Sequence, residues 1–247
     1  MSDPAIAIDR LRYAYRPGRP VLRDLSLTVP VGAVMGFLGP NGAGKTTLMH
    51  LLNGFMPPDA GAVQVLGCEP WRERVAVQRR LAFVPEHPPA YPWLTVAAFL
   101  AFYRRVCPGW DEAAAQRRLD EAAIPMDQPC GALSRGQQGL VSLAVALGRP
   151  AEVLLLDDPT LGLDVLARRR LYTAVVEELA ARAVTILFAT HLPAEVEGVL
   201  THAAFVAGGR IVAAGALEDL KGEAAAAGRS AALEDIALHH WGGDHAA

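Results

Sequence analysis

Lysine is nearly absent from this chain of 247 residues: Lys45 and Lys221 are the only two, and every other fixed positive side chain is arginine. Cysteine is scarce as well. Cys68, Cys107 and Cys130 are odd in number and lack metal-ligand spacing, which argues against a disulfide framework or a structural zinc site and suits buried thiols in a reducing cytosol. Charge of one sign does not accumulate. The net charge is −3 with acids and bases spread along the chain, so the electrostatic footprint of a general nucleic-acid binder is missing. Long apolar runs are missing too, although 52% of the residues are hydrophobic. The longest candidate, Trp93 to Tyr103, falls well short of the roughly 20 residues that span a bilayer. Met1-Ser2-Asp3-Pro4 has neither the basic start nor the apolar stretch of a signal peptide. The expectation is a cytoplasmic chain that, if it serves a membrane, does so through a partner. Its length fits one large domain, or a core with a modest insertion.

What is present is a loop for phosphate. Gly39-Pro40-Asn41-Gly42-Ala43-Gly44-Lys45-Thr46-Thr47 fits Gly-x4-Gly-Lys-Ser/Thr, in which small residues let backbone N–H groups turn inward around a β-phosphate while Lys45 reaches the β- and γ-oxygens. Ala33 to Leu38 is an apolar run of strand length before it, and Lys45 to Asn53 is a helix candidate ending at Gly54. The phosphates would then lie at a helix N-terminus, where the macrodipole favours anions. A chain that avoids lysine keeps one where a compact ammonium suits a phosphate cradle.

Around this loop the N-terminal region reads as antiparallel strands: Leu25, Leu27 and Val29 alternate with polar or small residues, and Asp59-Ala60-Gly61 reads as a turn before Val63 and Val65. Leu81 to Val84 continues the strand pattern. Pro85-Glu86-His87-Pro88-Pro89-Ala90-Tyr91-Pro92 is too poor in N–H donors for a central strand. Thr95 and Asp111 are N-caps for two following helices with Pro108-Gly109 between them, so a helical insertion starts at Glu86 and runs to about Cys130. Ser134 caps a helix to about Gly148. Val153 to Asp157 as a buried strand, Asp164 to Arg182 as a helix and Val184 to Ala189 as a strand follow, an alternation that indicates a parallel sheet covered on both faces. Phe205 to Gly215 reads as a hairpin turning at Gly208-Gly209, and Glu223 to Ala227 as a surface helix or a linker.

Val153 to Asp158 delivers an acidic pair at the C-terminal end of a strand, where ligands bind in such sheets. Asp157 is suited to holding Mg2+ through water, with the Thr46 hydroxyl as a second ligand. Phosphate loop, Leu133-Ser134-Arg135-Gly136-Gln137, Leu154-Leu155-Leu156-Asp157-Asp158-Pro159-Thr160, Leu161-Gly162-Leu163-Asp164 and Thr190-His191 occur in this order. By them the chain resembles the ATP-binding subunits of ABC transporters, from about Ala5 to Gly222. The resemblance implies an α/β fold: a P-loop NTPase (RecA-like) core with a parallel sheet, an N-terminal antiparallel β subdomain and an inserted α-helical subdomain. Its domain would span 1–222, with the helical insertion at about 86–140 and a C-terminal tail at 223–247.

By the same resemblance, ATP and Mg2+ are the cofactors, and Gly39, Pro40, Asn41, Gly42, Ala43, Gly44, Lys45, Thr46 and Thr47 hold the phosphates. Tyr15 stacks on adenine, a half-buried strand tyrosine being the plainer alternative. Ser134, Gly136 and Gln137 contact the γ-phosphate held by a facing subunit, Ser134 being a helix cap as well. His191 binds the γ-phosphate or the attacking water, Asp158, Glu86 and Lys45 join the chemistry, and Thr46, Glu86 and Asp157 serve the metal. Asp164 belongs to the dimer interface or is an ordinary N-cap. The implied partners are a transmembrane permease and a second ATPase subunit, identical or related, at the cytoplasmic face of the membrane, with no nucleic acid.

Two positions depart from the family pattern. Asp158 stands where the general base is normally Glu, one methylene longer, and a misplacement of about an ångström can cost roughly a hundredfold in rate. Glu86 stands where most members have Gln; an ionised Glu only accepts hydrogen bonds and adds charge beside the metal. Glu at this place resembles the type 2 export subfamily, as do Pro92-Trp93-Leu94-Thr95-Val96, Pro108-Gly109-Trp110-Asp111 and Leu233-Glu234-Asp235-Ile236. Tyr91, Trp93 and Phe99 either shape a groove for a permease helix or pack the core, and His239, His240 and His245 have no fixed metal scaffold around them. The expected function is an ATP-hydrolysing motor subunit of an exporter. A soluble or regulatory ABC ATPase with slow hydrolysis is the alternative.

Overall fold

The pentapeptide Val34 to Leu38 becomes a strand buried at every residue, and Val153–Asp157 and Thr185–Thr190 do the same. Strands buried on both faces belong to parallel sheets under helices. The computed structural model describes residues 3–87, 91–160, 162–163, 165–182 and 184–242. In chain order its elements are β1 (Ile6–Tyr13), β2 (Leu22–Val29), β3 (Val34–Leu38), α1 (Lys45–Leu52), β4 (Ala60–Val65), α2 (Arg74–Arg80), β5 (Leu81–Val84), α3 (Val96–Val106), α4 (Glu112–Glu121), α5 (Arg135–Leu147), β6 (Val153–Asp157), α6 (Val165–Ala181), β7 (Thr185–Thr190), α7 (Pro193–Val196), β8 (His202–Ala207), β9 (Arg210–Ala216), α8 (Leu217–Ala226) and α9 (Leu233–Gly242). They fall into two units, Met1–Gln78 with Thr185–Ala247, and Arg79–Val184.

The first unit holds two sheets. β2, β1 and β4 form an antiparallel sheet in that order, and β7, β3 and β8 run parallel with β9 turning back antiparallel on β8. Phe37, Phe188 and Phe205 are fully buried, each contributing about 1.5–3 kcal/mol by leaving water. Ala60 and Gly61, expected as a turn, begin β4 instead. The pairing of β1 with β4 slips between Asp9 and Arg12, and Asp59 ties the junction by donating its N–H to Arg12 O at 3.0 Å and accepting the Ala14 N–H at 2.7 Å. The helix α2 had no signal in the sequence, because Val77 is its single buried residue. The stretch beyond 223 continues α8 and then forms α9, whose Leu233, Ile236 and Ala237 are buried.

In the second unit β5 and β6 pair in parallel, and α3, α4 and α5 follow the expected caps. Thr95 Oγ1 accepts the Ala98 N–H at 3.1 Å and Asp111 Oδ1 the Ala114 N–H at 2.9 Å, caps worth about 1 kcal/mol each. Arg118, buried on α4, reaches Glu177 on α6 at 2.7 Å. Phe99 is core, whereas Tyr91 and Trp93, 73% exposed, lie on the surface. Cys130 is buried and burial pushes its thiol pKa up, away from a reactive thiolate. Pro88, Pro89, Ala90, Leu161, Asp164 and His245 lie outside the described residues.

His240 on α9 rests against Phe205 of β8, ring centroids 5.1 Å apart. Burial lowers its pKa, with His239 and Arg229 adding to the shift and Glu223 opposing it. The folded state therefore binds this proton less readily than the unfolded chain, whose histidine titrates near 6.5. The contribution is present above that pH and is lost as pH falls through it toward the lower folded value. The melting temperature should fall between pH 7.5 and 5.5, and fall less in His240→Phe; an equal fall in both proteins would contradict this assignment.

Candidate active site

In the first unit, β3 and β7 run parallel with Leu38 opposite Thr190, so the phosphate loop and His191 leave the same edge of the sheet. The Gly39 N–H donates to Thr190 O at 3.2 Å and fixes their junction. Gly44 precedes α1 at φ +98°, and a Cβ there would lie 2.6 Å from Leu22 Cδ2, so only glycine suits the position. The N–H groups of Lys45, Thr46 and Thr47 open the first turn, ahead of the bond from Leu48 N–H to Gly44 O at 2.9 Å.

Lys45 is buried, and its ammonium donates to Gly39 O at 3.0 Å and Pro40 O at 3.3 Å. A cation at the positive end of a helix is disfavoured by the macrodipole unless an anion joins it there. The N–H groups of a helix first turn, a glycine the backbone demands and a buried ammonium fit a polyphosphate.

Tyr15 lies beyond the end of β1 and not on a strand, which corrects the plainer reading of it. Its ring stands edge-on to Tyr13, it is 57% exposed, and its hydroxyl is 3.2 Å from Thr47 Oγ1. An open aromatic face beside the phosphate loop can take a planar base. His191 is half-buried directly after Thr190, whose Oγ1 accepts the Leu192 N–H at 3.2 Å.

In the second unit, Val84 pairs with Leu156, so Glu86 and the acidic pair leave the same edge of β5 and β6. Asp157 is 1% and Asp158 8% exposed. Asp158 has φ +40°, a left-handed conformation that a short polar side chain tolerates better than a longer one. Glu86 is half-buried and lines a cleft of about 210 Å³ with His87, Arg135, Gln138, Gly139 and Pro159. Its Oε1 lies 3.7 Å from His87 Nδ1.

Ser134 and Gln137 form a reciprocal capping box at α5: Ser134 Oγ accepts the Gln137 N–H at 3.2 Å and Gln137 Oε1 accepts the Ser134 N–H at 3.0 Å. The Ser134 hydroxyl is exposed and keeps its proton to donate. Gly136 is buried, and a Cβ there would touch Leu163 Cδ2 at 3.4 Å.

Sequence reasoning missed Thr47 as the partner of Tyr15, Arg135 and His87 on the Glu86 cleft, and the backbone of Asp158. The donor chemistry present in each unit fits ATP with a divalent cation: in the first, Thr46 carries an exposed hydroxyl in the first turn of α1, and in the second, Glu86 and Asp157 carry carboxylates, hard oxygen donors of the kind Mg2+ prefers. His239 and His240 lie 5.4 Å apart on α9. Among the described residues they join no group of three or more His, Cys, Asp or Glu placed for a metal.

Residues 22–161 match the family model described as ABC transporter, and an AAA domain model matches 127–197. The chain is 34% identical to the cobalt import ATP-binding protein CbiO of Rhodobacter capsulatus, over 86% of this chain and 79% of that protein. It is 29% identical to the ABC transporter ATP-binding protein YtrB of Bacillus subtilis, over 83% of this chain and 70% of that one. With ABC transporter A family member 5 of Arabidopsis thaliana it shares 33% identity but spans only 24% of that protein's length. A solved ATP-binding subunit of an ABC transporter superposes with a TM-score of 0.84 at 26% identity, covering 96% of this chain and 99% of the other. The P-loop NTPase fold is thereby shown, and with it the family: this chain belongs to the ABC transporter ATP-binding subunits, which are ATPases.

Proposed function

We propose that the chain is the motor subunit of an exporter, pairing with a second ATPase subunit around two ATP and driving a separate membrane permease from the cytoplasmic face. The observation that carries this reading is that one chain displays two helix N-termini fit for phosphate, α1 with Lys45 and α5 with Ser134. In the family the second serves the ATP of a facing subunit. Tyr15 takes the adenine, Gly39 to Thr47 the phosphates, and Ser134, Gly136 and Gln137 the γ-phosphate from across the dimer. Thr46, Glu86 and Asp157 would hold Mg2+, which would shield the phosphate charge. Asp158 accepts the proton of the attacking water and His191 orients that water or the γ-phosphate, so the chain contributes positioning and electrostatics more than covalent chemistry.

Glu86 and the segments around Trp93 and Trp110 support the export direction, and exposed Tyr91, Trp93 and Phe102 offer a permease an apolar seat. The 8% exposed, shorter carboxylate of Asp158 favours one second reading, a regulatory subunit with slow turnover. Among the described residues no helix is long and apolar enough to cross a membrane. Expressed alone, the chain should stay in the supernatant in high salt; expressed with the permease encoded beside it, it should sediment with membranes and hydrolyse ATP faster. Tight membrane binding by the isolated chain, or no recruitment by that permease, would count against the coupling.

A further inference from the structure

The second lysine has no part in the nucleotide chemistry, and its surroundings give it another. Glu197 stands six residues beyond His191, in the 3-10 turn that follows α7. Its carboxylate is shared between two elements. Oε1 lies 2.7 Å from Lys221 Nζ on α8, and Oε2 accepts the Leu233 N–H at the start of α9 at 3.2 Å. Both side chains of the ion pair are about three-quarters buried, at 25% and 28% exposure, where salt screens less than at a free surface.

The segment between His191 and Glu197 is short and stiff. Pro193 opens α7 and Val196 is buried, and α7 packs on α9 and on β3. One end of this link is set by the pairing of β7 with β3, which places Thr190 beside Leu38. The other end is set by Glu197. Helix α9 keeps its own anchors in buried Leu233, Ile236 and Ala237, so loss of the carboxylate leaves the helix in place and frees the link.

We propose that Glu197 is a positioning residue for ATP hydrolysis: tied to Lys221 and to the start of α9, it holds the segment that carries His191 at the edge of the sheet beside the phosphate loop. This rests on the role given to His191 above. Chemically it makes the C-terminal helices part of the machinery, since the ammonium that this arginine-rich chain keeps at 221 meets the carboxylate that holds the segment carrying His191.

The test uses the full chain. Glu197→Ala should lower kcat about fivefold or more, as a displaced catalytic group does, with the KM for ATP changed by less than about twofold because ground-state binding is untouched. Lys221→Met should lower kcat in the same sense. Glu197→Gln keeps the acceptor for Leu233 and should fall between parent and alanine variant. Placed on His191→Ala, Glu197→Ala should add nothing further. A melting shift with kcat unchanged, or losses that add fully in the double variant, would overturn the proposal. Hydrogen exchange without nucleotide gives an arm independent of activity: Glu197→Ala should speed exchange across 191–199 and leave 39–52 unchanged, and unchanged exchange across 191–199 would overturn the clamp. A parent chain that hydrolyses no ATP would instead sink the reading of the site, while the exchange result still decides the clamp.

Discussion

Lys45→Ala should abolish tight ATP binding, whereas Ser134→Arg should leave binding intact and stop hydrolysis. Lys45 is the buried cation of the phosphate loop, its ammonium 3.0 Å from Gly39 O. Truncating one partner of a desolvated charge pair costs about 2–5 kcal/mol, which is roughly thirtyfold to several thousandfold in affinity. Ser134 is different. It lies exposed at the start of α5, and in the proposed assembly it meets only the nucleotide of the facing chain. An arginine there obstructs closure without touching the subunit's own phosphate loop. Nucleotide titration of both variants separates the two effects, and equal loss of affinity would contradict the division of labour.

Asp158→Glu should raise kcat about tenfold, or about 1.4 kcal/mol of barrier, by restoring the reach of the base. The backbone predicts a cost on the same variant. At φ +40° the longer side chain sits less comfortably than Asp or Asn, a strain on the order of 1 kcal/mol. Asp158→Glu should therefore be faster and less stable at once, read by turnover and by urea unfolding. Asp158→Asn retains the backbone preference and removes the base, so it should trap the ATP-bound dimer. Both are compared in saturating Mg2+, because Glu86 also bears on metal binding. A Glu variant no faster than the parent, with normal turnover in the Asn variant, would move the base elsewhere, His191 first.

The parts legible in the sequence are those whose signals are local. Val34 to Leu38 and Val153 to Leu156 carry no polar side chain because helices cover both faces, and Thr95, Asp111 and Ser134 cap helices with their own side chains. The phosphate loop is contiguous, so it could be read whole. Helix α2 escaped because one buried valine makes no period. Ala60 and Gly61 look like a turn because bulged pairing with β1 is a property of the partner strand. Tyr15 could be given a role but not its hydrogen bond to Thr47, and Glu197 carried no signal at all. Its partners stand at 221 and 233 in sequence and meet it only once α8 and α9 are packed.

The central claim, an ATPase whose site needs two chains, is tested most directly by mixing two inactive proteins. Lys45→Ala and Ser134→Arg should each hydrolyse almost no ATP alone. In a mixed dimer one site joins the intact phosphate loop of the Ser134→Arg chain to the intact Ser134 of the Lys45→Ala chain. Equimolar mixing should restore about a quarter of the parental rate, since half of randomly formed dimers are mixed and each keeps one intact site of two. A mixture as inactive as its folded components, or a Ser134→Arg protein as active as the parent, would contradict the account.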